Sequence, residues 1–173
     1  MVLIEADASG EWDSRIDWED LAERAVLSAV ACSSHAALNN SELAIEVSVK
    51  FTDDDEVKAL NAAYRDKDKA TNVLSFPMVE PELLDSIAGA DGGEVLLGDV
   101  VLAHGVCVAE AAEKGVATET HAAHLVVHGT LHLLGYDHET GEADAEEMER
   151  VEREALSAIG IADPYVVTEV EAH

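Results

Sequence analysis

The run His128-Gly-Thr-Leu-His132-Leu-Leu-Gly135-Tyr-Asp-His138 constrains this chain more than any other stretch. Positions i and i+4 share a face only on a helix, so a helical reading points His128 and His132 the same way. Leu125, Val126, Leu131, Leu133 and Leu134 make that helix apolar enough to lie at the centre of a core. Gly135 supplies the left-handed position that ends a helix. His138 follows the turn, where it can approach the same point in space. Three neutral imidazoles with an open fourth position are the ligand set of a catalytic zinc, which binds a water and lowers its pKa to about 7. The expectation is one Zn2+ per chain, held by His128, His132 and His138 on a zincin-like metal helix. His124 and His121 lie one and two turns upstream on the same face. They read as hydrogen-bonding supports of the ligands, as RNA or substrate contacts, or as partly buried helix histidines.

The spacing H-x-x-x-H-x-x-G-x-x-H is that of the metzincin peptidases. Where those enzymes carry a general-base Glu, this chain has Gly129. The metal geometry is present and the peptidase's base is missing. A zinc metallopeptidase stays open as an alternative only if a Glu from elsewhere reaches the metal water.

At 173 residues the chain reads as a single domain, 1–173, with enough length for a core. No apolar run approaches the ~20 residues of a membrane helix, so no membrane partner is expected. The N-terminus is acidic and reads as no secretory signal. Cys32 and Cys107 have no CxxC pairing and sit in Ala-rich helical stretches, which favours buried thiols in a reducing cytoplasm. With 10 Lys and Arg against 37 Asp and Glu, the net charge is −27. Taken alone, that argues against nucleic-acid binding, because phosphate contacts need cations. Local sign matters more. Arg65, Lys67 and Lys69 fall within five residues and predict a positive groove at the metal, with the carboxylates of 142–154 on a far, solvated face.

Residues 17–31 read as an amphipathic helix. Leu43, Ile45, Val47, Val49 and Phe51 alternate, as in a half-buried strand. Thr52-Asp-Asp-Asp55 reads as a capping box opening a helix to about Ala63. Asn72–Phe76 reads as a short strand stopped by Pro77, 78–93 as an exposed loop, and Glu94–Ala103 as an apolar strand. Helices are expected at about 104–114, 118–134 and 142–158, the first closed by Gly115. The fold class is α/β, a small mixed, mostly parallel sheet covered by helices, with strands 43–51 and 72–76 long enough apart to form a parallel pair.

The segment His128–His138 closely resembles the signature of the YbeY family, bacterial endoribonucleases of ribosomal RNA maturation. Asn61-Ala-Ala-Tyr-Arg65 with Thr71-Asn-Val-Leu-Ser-Phe-Pro77, Leu97-Gly-Asp-Val-Val, Glu146-Glu-Met-Glu and Asp163-Pro-Tyr165 also look like family segments. The resemblance implies a zinc-bound hydrolase of single-stranded RNA. Its implied work is 3′-end processing of small-subunit rRNA and ribosome quality control, with the ribosome or small-subunit assembly proteins as partners. It carries the three metal ligands to His128, His132 and His138 and a functional arginine to Arg65. Asn72 stands where the family commonly has Asp, and Asn cannot act as a base. Arg65 offers a planar fork for two phosphate oxygens, or else makes a surface salt bridge. Asp99 and Asp137 read as acceptors for a ligand histidine's N–H or as loop caps, and Lys67 and Lys69 as an RNA track or solvated charges. The alternative outside enzymology is a non-catalytic ribosome-assembly module whose zinc is structural, with His124, His104 or a carboxylate as fourth ligand.

Overall fold

The computed structural model describes residues 1–137 and 140–162. Among these residues four strands form one mixed sheet: β1 (Val2–Ala8), β2 (Ala44–Thr52), β3 (Val73–Pro77) and β4 (Glu94–Ala103), in spatial order β1-β2-β4-β3. Six helices accompany it among the described residues: α1 (Trp18–Cys32), α2 (Asp54–Arg65), α3 (Leu84–Ala88), α4 (His104–Lys114), α5 (Thr118–Leu133) and α6 (Glu142–Ala158).

The alternation of β2 sets the two faces. Ile45, Val47, Val49 and Phe51 are all buried, in one core with apolar residues of α1, α5 and α6. Each such side chain contributes about 1.5–3 kcal/mol by leaving water. Glu46, Ser48 and Lys50 point to the other face, which α2 covers only in part through a small second core of Val57, Leu74, Val101 and Ala103. The α5 face is therefore closed and the α2 face is partly open.

The sheet departs from the expected mostly parallel one. β2 pairs in parallel with β1 and β4, and β3 pairs with β4 in antiparallel, Val73 opposite Leu102 and Phe76 opposite Asp99. The expected β2–β3 pair does not form, because β4 inserts between them. β1 is an additional strand that the sequence reading left out. Its outward residues are polar or exposed, as an edge strand permits. The stretch 78–93, expected as an exposed loop, carries α3 and buries Val79 and Leu84. The cap of α2 is Asp53, whose side chain accepts from Glu56 N–H, one residue beyond the expected Thr52.

α5 lies close against the sheet at Gly129. A Cβ there would stand 2.7 Å from Val100 Cγ1 and 3.5 Å from Val73 Cγ2. The missing side chain lets the metal-candidate helix seat on β4 and β3.

Candidate active site

The end of α5 positions the second histidine. Gly135 has φ +94, a left-handed value. Its N–H donates to His132 O at 3.1 Å, and Tyr136 N–H donates to Leu131 O at 3.0 Å, the paired bonds of a Schellman stop. That turn carries Tyr136 O back to His132 Nδ1, 2.9 Å away. A carbonyl only accepts, so His132 Nδ1 carries the proton and Nε2 the lone pair.

The first histidine is fixed by a residue that the sequence reading misplaced. Glu152 of α6 is 1% exposed, and its Oε1 lies 2.5 Å from His128 Nδ1. Its other oxygen lies 3.1 Å from His124 Nε2. Burial pushes this carboxyl up, but the hydrogen bonds from His124 and His128 outweigh it and hold the group well below the ordinary carboxylate range. An ionised Glu152 accepts from His128 Nδ1–H, which leaves His128 Nε2 as the acceptor nitrogen. The expectation that all carboxylates of 142–154 lie on a solvated face is corrected here. Glu152 shares the apolar stripe of Met148, Val151 and Ala155, and a charge inside such a stripe is the signal that would have found it.

The two acceptor nitrogens, His128 Nε2 and His132 Nε2, face each other at 3.1 Å. Two lone pairs at that separation repel unless a cation sits against them. The donor set therefore fits a metal ion. When bound there, zinc would supply an acidified water. The third expected ligand, His138, lies outside the described residues, as do Asp163–Tyr165. Among the described residues no group of three His, Cys, Asp or Glu side chains converges as a metal site.

His124 and His121 continue the stripe, with ring centroids 6.5 Å from His128 to His124 and 5.9 Å from His124 to His121. His121 Nε2 lies 2.8 Å from Glu110 Oε1. Its burial lowers the imidazole's pKa more than the Glu110 bond raises it. Asn72 Nδ2–H donates to the same Glu110 oxygen at 3.0 Å, and Asn72 Oδ1 accepts from Val73 N–H at 2.7 Å. An Asp at position 72 would face the Glu110 carboxylate, so Asn suits this neighbour. Nothing local in the sequence singles out Glu110.

His128 and His132 open onto a cleft of about 350 Å³ whose other wall carries Arg65, Lys67, Lys69 and Asn72. Among the described residues no carboxylate lines it. Asn61 is 2% exposed and holds the wall in place, its Nδ2–H donating to Lys69 O at 2.9 Å. Asp66 takes the left-handed conformation, φ 56, that turns the chain out of α2. Arg65 is exposed, and its Nη2–H donates to Ser75 O on β3 at 2.8 Å.

Two candidates are placed elsewhere. Val100 faces α5, so Asp99 faces the opposite side of the sheet. It does not meet His128 or His132. Asp137 lines a separate hollow with Ser34, Tyr136 and Asp144.

A family described as Endoribonuclease YbeY matches residues 11–160. The chain belongs to the YbeY family. An Endoribonuclease YbeY of Rhizorhabdus wittichii is 56% identical over 169 residues, covering 98% of this chain and 99% of that protein. One of Novosphingobium aromaticivorans is 56% identical over 165 residues, 95% of this chain and 96% of that protein. The solution structure of TM1509 from Thermotoga maritima aligns with TM-score 0.53 and 24% identity over 90% of this chain and 91% of that one, a likeness of fold. Arg65, His128 and His132 thus meet in one cleft here, and no long apolar helix capable of crossing a membrane occurs among the described residues.

Proposed function

We propose that this protein is a zinc-dependent, single-strand-specific endoribonuclease acting in the 3′-end processing of small-subunit rRNA and in ribosome quality control. The observation that carries the reading is the cleft. In a chain of net charge −27, the hollow in front of His128 and His132 is walled by Arg65, Lys67 and Lys69 and, among the described residues, by no carboxylate. That is the local sign a phosphodiester needs, and a cationic or peptide substrate would gain nothing from it.

The chain's own groups divide the work. Arg65 offers its remaining guanidinium donors to phosphate oxygens. Lys67 and Lys69 hold the flanking backbone. His128, His132 and His138 hold one Zn2+ per chain. Glu152 and Tyr136 O keep the acceptor nitrogens of His128 and His132 turned to the cleft. Gly129 cannot be a base, and a side chain there would strike Val100. The protein works in the cytoplasm with the ribosome or small-subunit assembly proteins.

The test is a nuclease assay on single-stranded and duplex RNA with the metal-stripped and the zinc-restored protein, beside a casein assay. Cleavage of single-stranded RNA restored by zinc, with casein intact, is expected. Casein cleavage without RNA cleavage would overturn the reading.

A further inference from the structure

A second, larger cleft of about 670 Å³ opens on the α2 face of the sheet. It meets the histidine cleft at β3, and Arg65 and Ser75 line both. One wall is Tyr64, 71% exposed, with its ring 5.6 Å from Phe76 in an edge-to-face pair. Phe76 lies opposite Asp99 in the β3–β4 register, so the Tyr64–Phe76 pair and the Asp99 carboxylate are neighbours across the cleft. Lys50 at its margin is already paired with Glu56 at 2.6 Å. Asp99 makes no side-chain hydrogen bond or ion pair among the described residues, although it is partly buried.

With Met78, 61% exposed in the same cleft, Tyr64 and Phe76 form an exposed apolar patch of the kind that marks a binding surface. Successive bases of a single strand stack on such side chains, and every base has a π-face to offer. A strand whose phosphate sits at Arg65 passes over the edge strand β3 on leaving the histidines. Its next base then reaches Tyr64, because Tyr64 and Arg65 line the same cleft. The carboxylate at Asp99 repels phosphate and only accepts, from N–H or O–H donors. Of the four bases, guanine presents two adjacent donors, N1–H and N2–H, to a carboxylate's two oxygens.

We infer that the Tyr64–Phe76–Asp99 cleft is a nucleobase subsite. It stacks the base flanking the phosphate held at Arg65 and favours guanine through Asp99. This rests on the reading of the histidine cleft as an RNA site.

The experiment has two arms. In the first, nucleoside 5′-monophosphates, which contain no bond for the nuclease to cut, are titrated by NMR into the full chain, beside inorganic phosphate. GMP should bind about fivefold or more tighter than UMP and shift the Tyr64 and Asp99 signals, whereas phosphate alone should leave those signals unmoved. Asp99→Asn should level GMP with UMP, and Tyr64→Ala should weaken every nucleotide roughly tenfold. Tyr64→Phe should restore binding, because the ring and not the hydroxyl is used. Equal binding of GMP and UMP to the wild type, or GMP affinity indifferent to Tyr64→Ala, would overturn the inference. In the second arm, KM for single-stranded RNA is measured in the same variants. RNA cleavage with KM unchanged in Tyr64→Ala would sink the subsite and leave the nuclease reading intact. Absence of RNA cleavage in the wild type, with guanine-selective binding at Tyr64, would sink the nuclease reading and leave the subsite.

Discussion

Glu152 shows how much one side chain on a distant element decides. Its carboxylate fixes the proton of His128 on Nδ1, and an amide of the same size would not, since Gln can donate to Nδ1 and drive the proton to Nε2. Glu152→Gln should therefore lower zinc affinity about 10- to 100-fold, read by competition with a chromophoric chelator. Imidazole 15N spectra of the metal-free protein should show the His128 tautomer reversed. Wild-type affinity in this variant would remove Glu152 from the metal's support. Arg65 gives the complementary case in front of the cleft. Arg65→Ala removes an exposed side chain, so fold and metal content should persist while RNA cleavage falls about 100-fold or more. Arg65→Lys should also be impaired, since a point charge cannot replace a planar fork. Full activity in either variant would exclude the guanidinium from the reaction.

Among the elements, the seat of α5 on the sheet is the narrowest joint. The 2.7 Å approach of Val100 Cγ1 to the Cβ position of Gly129 leaves no room for a methyl group. Gly129→Ala should cost about 1–3 kcal/mol in chemical denaturation as the helix is forced outward. Val100→Ala in the same chain should recover part of that loss, although Val100→Ala alone makes a cavity. An unchanged midpoint in Gly129→Ala would mean that α5 has slack against β4. The same geometry explains why a metzincin-like spacing can lack the metzincin base: at position 129 the backbone points a side chain at Val100 and Val73 of the sheet.

For the molecule as a whole the question is how 37 acidic residues coexist with an anionic substrate. The answer is spatial separation. Among the described residues the cleft lining holds three cations and no carboxylate, the Glu152 and Glu110 carboxylates behind it are hydrogen-bonded to His128 and Asn72, and carboxylates farther off than the ~8 Å Debye length at physiological salt hardly repel a phosphate at the histidines. Unscreened, the same charges slow the approach of RNA. Cleavage at sub-saturating RNA should rise or stay level as monovalent salt increases from very low values. A basic binder would show a steep fall. A steep monotonic loss of RNA affinity with salt would reveal a dominating basic surface that these residues do not account for.

The sequence by itself determined what depends on near neighbours along the chain. The 3.6-residue period and the stop at Gly135 set α5 to within a residue, the alternation from Leu43 to Phe51 set β2 and its buried face, and Arg65, Lys67 and Lys69 were visible as a cluster because they are adjacent. Strand order was not local information. β3 runs antiparallel beside β4, and not parallel beside β2, because the apolar β4, which follows both in the chain, takes the place next to β2. The partners of the histidines were equally non-local. Glu152 reaches His128 only when α6 packs on α5, and Glu110 joins His121 to Asn72 only when α4 does. Asp99 shows the converse, for its place next to Val100 put it on the opposite face from the histidines. Periodicity tells which face of an element is buried. Only the packing of one element on another decides which polar group waits on the far side.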